Sequence, residues 1–177
     1  STFAEMGLGV SKPVGDLAGP MAFAILMGSA RAFYGKYGEK INLEKFMVGS
    51  SILCVAAYLC IALVPNPLIG LIACAVCGLS VGIMWPGTFS KAAAILPGGG
   101  TAMFAFMALA GDLGCSGGPT LVGTVSGIFA DDLRKGILVA VIFPILLIVG
   151  IGLATILRKS GKINKEIQRK ELKSLLF

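Results

Sequence analysis

Histidine is absent from this 177-residue sequence, tryptophan occurs once, and only 14% of the residues are charged. The missing histidine argues against a His-based catalytic dyad and against most zinc and haem sites. The charge deficit reaches further. A soluble domain carries roughly a quarter charged residues, so most of this chain has no aqueous face to decorate. Acidic residues are the scarcer sign, 9 against 15 basic, for a net charge of +6. The chain begins at Ser1, and no basic stretch followed by an apolar core opens it, so no signal peptide is visible. What abounds is hydrophobicity: 56% of the residues are apolar and the mean hydropathy is +0.90.

The five cysteines, Cys54, Cys60, Cys74, Cys77 and Cys115, all fall within apolar runs. Cys74 and Cys77 form a C-x-x-C pair. Redox use would need an exposed helix N-terminus, and a metal site would need further ligands. Neither context is present, and the expectation is buried, inert small hydrophobes.

A membrane helix needs roughly 20 mostly apolar residues to cross about 30 Å of hydrocarbon. Phe46–Val64 and Leu68–Ser90 carry no charge, Ala102–Ala130 carries only Asp112, and Gly136–Leu157 carries none. A weaker run between Asp16 and Arg31 has 14 uncharged residues. It reaches span length if it continues through Phe33 and Tyr34 with Arg31 snorkelling to the headgroups. The expected fold is therefore all-α, a polytopic bundle of about five membrane helices near residues 14–34, 46–64, 68–91, 102–130 and 136–157. Short connections (35–45, Pro65-Asn66-Pro67, 97–101 and 131–135) make neighbouring helices antiparallel within one bundle over residues 1–157.

Basic residues set the orientation. Arg31, Lys36, Lys40 and Lys45 cluster at the first connection, Lys91 lies near the third, and seven more line the tail at 158–177. Only Lys12, Arg134 and Lys135 fall on the opposite side. The positive-inside rule places the tail and the first and third connections in the cytoplasm. Topology thus accounts for the net charge without nucleic acid. The tail, with Ile163 and Ile167 on one helical face, is expected on the anionic inner leaflet, with membrane lipids as its partner. An odd number of spans puts Ser1 outside, so residues 1–10 read as the outer end of an earlier helix.

Two segments carry a resemblance. Gly28-Ser-Ala-Arg31-Ala-Phe-Tyr-Gly35-Lys36-Tyr-Gly38-Glu-Lys40 pairs turn-permitting glycines with cations held at the cytoplasmic surface. The second runs from Gly82-Ile-Met-Trp85-Pro86-Gly-Thr88 through Leu96-Pro-Gly-Gly-Gly-Thr101 to Gly111-Asp112-Leu-Gly114-Cys-Ser116-Gly-Gly118-Pro119. The first resembles the cytoplasmic loop motif of the major facilitator superfamily of secondary transporters. The second is similar to the tenth and eleventh helices of its sugar-type and fucose-permease-like members. The usual loop motif has an aspartate where this chain has Ala32, which leaves a charge relay there unsupported.

The resemblance implies helices eight to twelve of a twelve-helix carrier, with residues 1–10 the stub of helix seven and the N-terminal half missing. It implies a bacterial cell-membrane location and a small-molecule solute such as a sugar, moved by alternating access and open to proton coupling. Helices nine and twelve would face lipid, in keeping with the bulky aliphatics of Phe46–Val64 and Gly136–Leu157. Gly15/Gly19, Gly78/Gly82, Gly114/Gly118 and Gly123/Gly127 have the four-residue spacing of close helix contacts, either ordinary packing or surfaces on which two halves slide.

Among single residues, Asp112 is the one charge deep in a strong span. A mid-membrane carboxylate is costly unless it meets water or a partner, so it is expected to face the bundle interior. Its roles are proton coupling or acceptance of solute hydroxyls, against a structural hydrogen bond near Pro119. Ser116 lies one turn on. Trp85, beside the kinking Pro86, offers a ring on which a sugar could stack, with Thr88 on the same face. The alternative is an interfacial anchor. Met84, Phe104 and Met107 are lining or core, Glu5 an outer gate at most, and Pro144 a bend in its helix.

No cofactor and no metal is expected. An intramembrane enzyme is disfavoured, because no nucleophile–base pair or carboxylate cluster is in sight. The rival readings are a drug or metabolite exporter and a non-transporting scaffold subunit.

Overall fold

Punctuation residues decide where the helices start and stop. The computed structural model describes residues 12–96, 98–130 and 132–157. The expected helix-seven stub at 1–10, Glu5 and the basic tail at 158–177 lie outside the described residues. Every regular element described is helical: α1 (Lys12–Tyr37), a 3₁₀ turn (Gly38–Lys40), α2 (Leu43–Leu63), α3 (Pro67–Val81), α4 (Met84–Ile95), α5 (Gly100–Ile128), α6 (Leu133–Ala140) and α7 (residues 142–157).

Three asparagine or aspartate caps do the work that an exposed loop would otherwise do. Asn42 Oδ1 accepts the Lys45 N–H at 3.2 Å and starts α2, three residues before the apolar run itself begins. Asn66 Oδ1 accepts the Leu68 N–H at 3.0 Å, with Pro67 at the first helical position, where its missing N–H costs nothing. Asp132 Oδ1 accepts the Arg134 N–H at 3.1 Å and brings Arg134 and Lys135 inside α6. The first connection is therefore shorter than the span of 35–45 implies, since α1 runs on to Tyr37 and the 3₁₀ turn hands over directly to the Asn42 cap.

Prolines interrupt two long helices. Pro86 has no N–H to offer the carbonyl of Gly82, and α3 breaks from α4 at Gly82–Ile83. Pro144 stands in the same relation to Ala140, and α6 breaks from α7 at Val141. Pro119, in contrast, sits inside an unbroken α5.

The core forms where α3 packs between α1 and α2. Cys54, Ala57 and Cys77 are buried there, ringed by Phe23, Tyr58, Val76, Val81 and Met84. Small side chains let the backbones close up, which is how helices associate where water gives no drive. A Cβ on Gly78 would strike the Phe23 backbone, and one on Gly82 would lie 2.8 Å from the Met27 carbonyl oxygen. The buried hydroxyls of Ser51 and Ser80 donate to carbonyls of their own helices at 2.9 and 2.7 Å, whereas the buried Ser126 Oγ has no hydrogen-bond partner. Of the cysteines, Cys54 and Cys77 match the expected burial, their sulfurs 4.0 Å apart. Cys74 is half-buried, whereas Cys60 and Cys115 are exposed, contrary to the expectation of burial.

Three helical stretches are long and apolar enough to cross a membrane: Leu43–Leu63, Leu68–Ile95 taken through its bend, and Leu133–Leu157. At about 1.5 Å per residue even the 21 residues of the shortest reach roughly 30 Å. α1 and α5, expected as two further spans, have the length but not the apolarity. Asp112, Ser116, Pro119, Thr120 and repeated glycines dilute α5, and Arg31 with Lys36 charges the end of α1. Large apolar side chains cover the outside, among them Phe106, Leu113, Ile128 and Leu157, each about 70% exposed. In water such a surface would drive aggregation; against acyl chains it is the ordinary condition of a membrane protein.

Candidate functional site

The break between α3 and α4 organises the polar chemistry of the bundle. The carbonyl that Pro86 leaves without a helical partner, that of Gly82, accepts a hydrogen bond from Arg31 Nε at 3.0 Å, 51 residues away in sequence. Arg31 is thus a cap on a broken helix as well as a cation near the end of α1. One residue past the start of α4, Trp85 stands between two cavities.

The first cavity, about 470 Å³, lies between α4 and α5 and includes Met84, Trp85, Thr88, Met107 and Gly111 in its lining. Gly111 lets the Trp85 ring lie directly against α5, because a Cβ there would collide with the ring unless it moved. Trp85 meets Phe89 edge-on at 4.7 Å, and Phe89 stacks on Phe104 at 5.7 Å, an aromatic ladder that joins α4 to α5. Thr88 Oγ1 donates to the Met84 carbonyl at 2.6 Å, so toward the cavity it offers lone pairs rather than a proton. Trp85 keeps 46% of its surface exposed, leaving part of the ring free for contact. The second cavity, about 380 Å³, is lined by Arg31, Tyr34, Gly35, Ile83, Trp85, Pro86, Gly87 and Ser90.

Trp85 and Thr88, two of the expected solute residues, share one cavity. Asp112 and Ser116 do not line it. Both are exposed on α5, and no described helix covers them, against the expectation that Asp112 faces the bundle interior. Ser116, Thr120 and Thr124 continue from Asp112 at four-residue intervals, linked by hydroxyl-to-carbonyl bonds of 2.7 and 2.8 Å. The result is one polar stripe down α5. Of the loop-motif residues, Gly28 and Gly35 face open space, Gly38 sits against the Tyr34 ring, Lys36 lies 5.4 Å from the Tyr37 ring centroid, and Lys40 is exposed.

Of the small-residue pairs, Gly78 and Gly82 are close contacts, and Gly19 lies 3.5 Å from Leu71. Gly114, Gly118, Gly123 and Gly127 meet nothing within 4 Å. The α5–α6 contact uses Gly136 instead, against Ser126 and Val122.

One constellation escaped the sequence reading. Lys91 Nζ lies 3.2 Å from Glu44 Oε2 and donates to Thr155 Oγ1 at 3.0 Å, and Thr155 also contacts the Glu44 carboxylate. The first turn of α2, the C-terminal half of α4 and the end of α7 are clasped at one end of the bundle. The available signal was a pair of opposite charges at the same-side ends of two neighbouring apolar runs.

No group of three or more metal-ligating side chains occurs among the described residues. The chain matches no known family model, no curated protein and no solved structure.

Proposed function

We propose that this chain is the membrane-embedded C-terminal portion of a secondary active transporter of the major facilitator type, with α1 to α7 supplying helices eight to twelve. It moves a small polar solute, such as a sugar, by alternating access, and Asp112 is the candidate for proton coupling. The observation that carries this reading is the interrupted α3–α4 helix with Trp85 at the break and a cavity on either side. Discontinuous helices are tolerated in a membrane where they line a cavity, and carriers place solute sites there.

Burial adds support. The stretch 68–95 is the most enveloped of the three apolar helices, 39% buried, and 133–157 the least, 17%. That is the order expected of an inner helix ten and an outer helix twelve. The uncovered polar stripe of Asp112, Ser116 and Thr120 is where a second half would lie.

The test is flux through the full-length gene product in proteoliposomes. Saturable, protein-dependent movement of a polar solute is expected, reduced roughly tenfold or more by Trp85→Ala, since one good stacking contact is worth about that factor. Its direction separates uptake from export. A Trp85→Ala protein with wild-type flux would remove the break from the solute path. The scaffold reading draws on the open glycine face of α5, and absence of flux together with cross-linking of Gly114→Cys to a different protein would favour it.

A further inference from the structure

The smaller cavity has a chemical bias that the transport reading does not use. Its polar lining consists of Arg31, Tyr34, Trp85 and Ser90. Each can donate a hydrogen bond, and no carboxylate is among the lining residues. A guanidinium carries five N–H donors in a fixed fork. Here Nε is committed to the Gly82 carbonyl, and no other hydrogen bond or ion pair engages Arg31 among the described residues. Lys91 makes the contrast: it is neutralised by Glu44 at 3.2 Å. Arg31 instead remains exposed at the cavity, held in place by a carbonyl that Pro86 took out of the helix.

The tethered Nε also orients the fork. Tyr34, whose ring packs 5.5 Å from that of Phe46, stands one turn further along α1. Gly35 and Gly87 remove side-chain bulk from two walls, and the volume of about 380 Å³ is within the range of small-ligand sites.

We infer that the cavity between α1 and α4 is a binding site for an oxyanion, the carboxylate or phosphate group of a small solute, with Arg31 as its charged anchor and Tyr34 and Ser90 as neutral donors. The indole face of Trp85 packs against the rest of the ligand. The inference names a substrate class for the proposed transporter and rests on that reading only for the role of the site, not for its existence. Arg31 is suited to the task because a planar fork grips a carboxylate or phosphate through two parallel bonds, which a lysine cannot do.

Trp85 is the one tryptophan of the chain, so its emission reports on this cavity and on the larger one that it also lines, and substitution of Arg31, which lines only the smaller, tells the two apart. The experiment titrates the chain, held in phosphatidylcholine nanodiscs, with glucuronate, inorganic phosphate and glucose. Glucuronate and phosphate are expected to change the emission saturably, and glucose, the same ring without the carboxylate, to do so at least tenfold more weakly. Arg31→Gln should weaken the glucuronate response tenfold or more, with Arg31→Lys intermediate. Equal responses to glucose and glucuronate, an Arg31→Gln protein that binds as the wild type does, or no response to any anion would each overturn the site. The wild-type comparison stands even if Arg31→Gln fails to fold.

Exchange into phosphatidylglycerol nanodiscs separates the sources of the oxyanion. An emission change there that pre-empts the soluble anions keeps the site but makes its ligand a lipid headgroup. Flux assays keep the two proposals apart. Anion binding without flux retains the site and removes the transporter, whereas flux of a neutral solute untouched by Arg31→Gln does the reverse.

Discussion

Pro86, Gly82 and Arg31 form a unit in which each residue explains the next. Proline deletes one helical hydrogen bond, glycine lets α1 approach to within contact of the freed carbonyl, and arginine supplies the replacement donor at 3.0 Å. An interior proline costs a helix about 3 kcal/mol, and the arginine cap offsets part of that. Pro86→Ala should therefore straighten α3 into α4 and raise stability by about 1–3 kcal/mol, while releasing Arg31 and weakening whatever binds beside it. Thermal unfolding in detergent and the Trp85 emission titration measure the two halves of this expectation. An unaltered melting temperature together with unaltered binding would mean that the break is not set by Pro86. The proline and the freed carbonyl are legible from Trp85-Pro86 in a long apolar run. The donor is not, because it comes from 51 residues away and sequence spacing carries no information about a contact between separate helices. Arg31 reads locally as a headgroup anchor; only the packing of α1 on α3 brings its Nε to the Gly82 carbonyl.

At the scale of the helix, two kinds of glycine with identical spacing behave differently. Gly78 is pressed against the Phe23 backbone, which cannot yield as a flexible side chain can, whereas Gly114 faces open space. Gly78→Val should cost about 1–3 kcal/mol or more through overpacking, measured as loss of the monodisperse peak after heating. Gly114→Val should be within about 0.5 kcal/mol of neutral in this chain and should become as damaging as Gly78→Val in a full-length carrier whose other half covers α5. A neutral effect in both settings would argue that nothing packs on that face. Four-residue spacing marks candidate contacts without saying which are used, since each needs a partner helix.

The clasp of Lys91, Glu44 and Thr155 is the other feature of this scale. Lys91 is 15% and Glu44 38% exposed at the side chain, so the pair is partly screened, and a double-mutant cycle on Lys91→Met and Glu44→Gln should return a coupling of about 1 kcal/mol. A coupling indistinguishable from zero would mean the clasp holds nothing together. The helix start at Asn66-Pro67 was legible from those residues, whereas at Asp132 the cap starts α6 three residues before the uncharged run. At Asn42 the cap starts α2 earlier than hydrophobicity alone indicates.

For the whole molecule, the solvent decides which surfaces are stable. The large apolar side chains displayed to the surroundings, Phe106, Leu113, Ile128 and Leu157 among them, are matched to lipid, and three helical stretches of the bundle have the length and apolarity to cross it unaided. α1 and α5 need help: Arg31 must stay at a polar cavity, and Asp112 with its serine and threonine neighbours must meet water or a covering partner. This is why composition announced a membrane protein clearly but overstated α5 as a free-standing span. Should Asp112 couple protons, Asp112→Asn in the full-length protein should abolish pH-driven accumulation and spare solute exchange; unchanged uptake with unchanged pH dependence would take it out of the mechanism.

The proposed topology requires that α2, the α3–α4 pair and α5 each cross the bilayer, so that the connections near residues 40, 66, 98 and 132 alternate between its two sides. Single cysteines placed at Lys40, Asn66, Gly98 and Asp132 in a cysteine-free background, challenged with a membrane-impermeant maleimide, test it directly. With this topology, positions 66 and 132 are labelled in intact cells and positions 40 and 98 only after permeabilisation. Labelling of 98 and 132 from the same side would show that α5 does not cross, and labelling of 66 and 98 from the same side would show the same of the broken α3–α4 helix on which the proposed solute site depends.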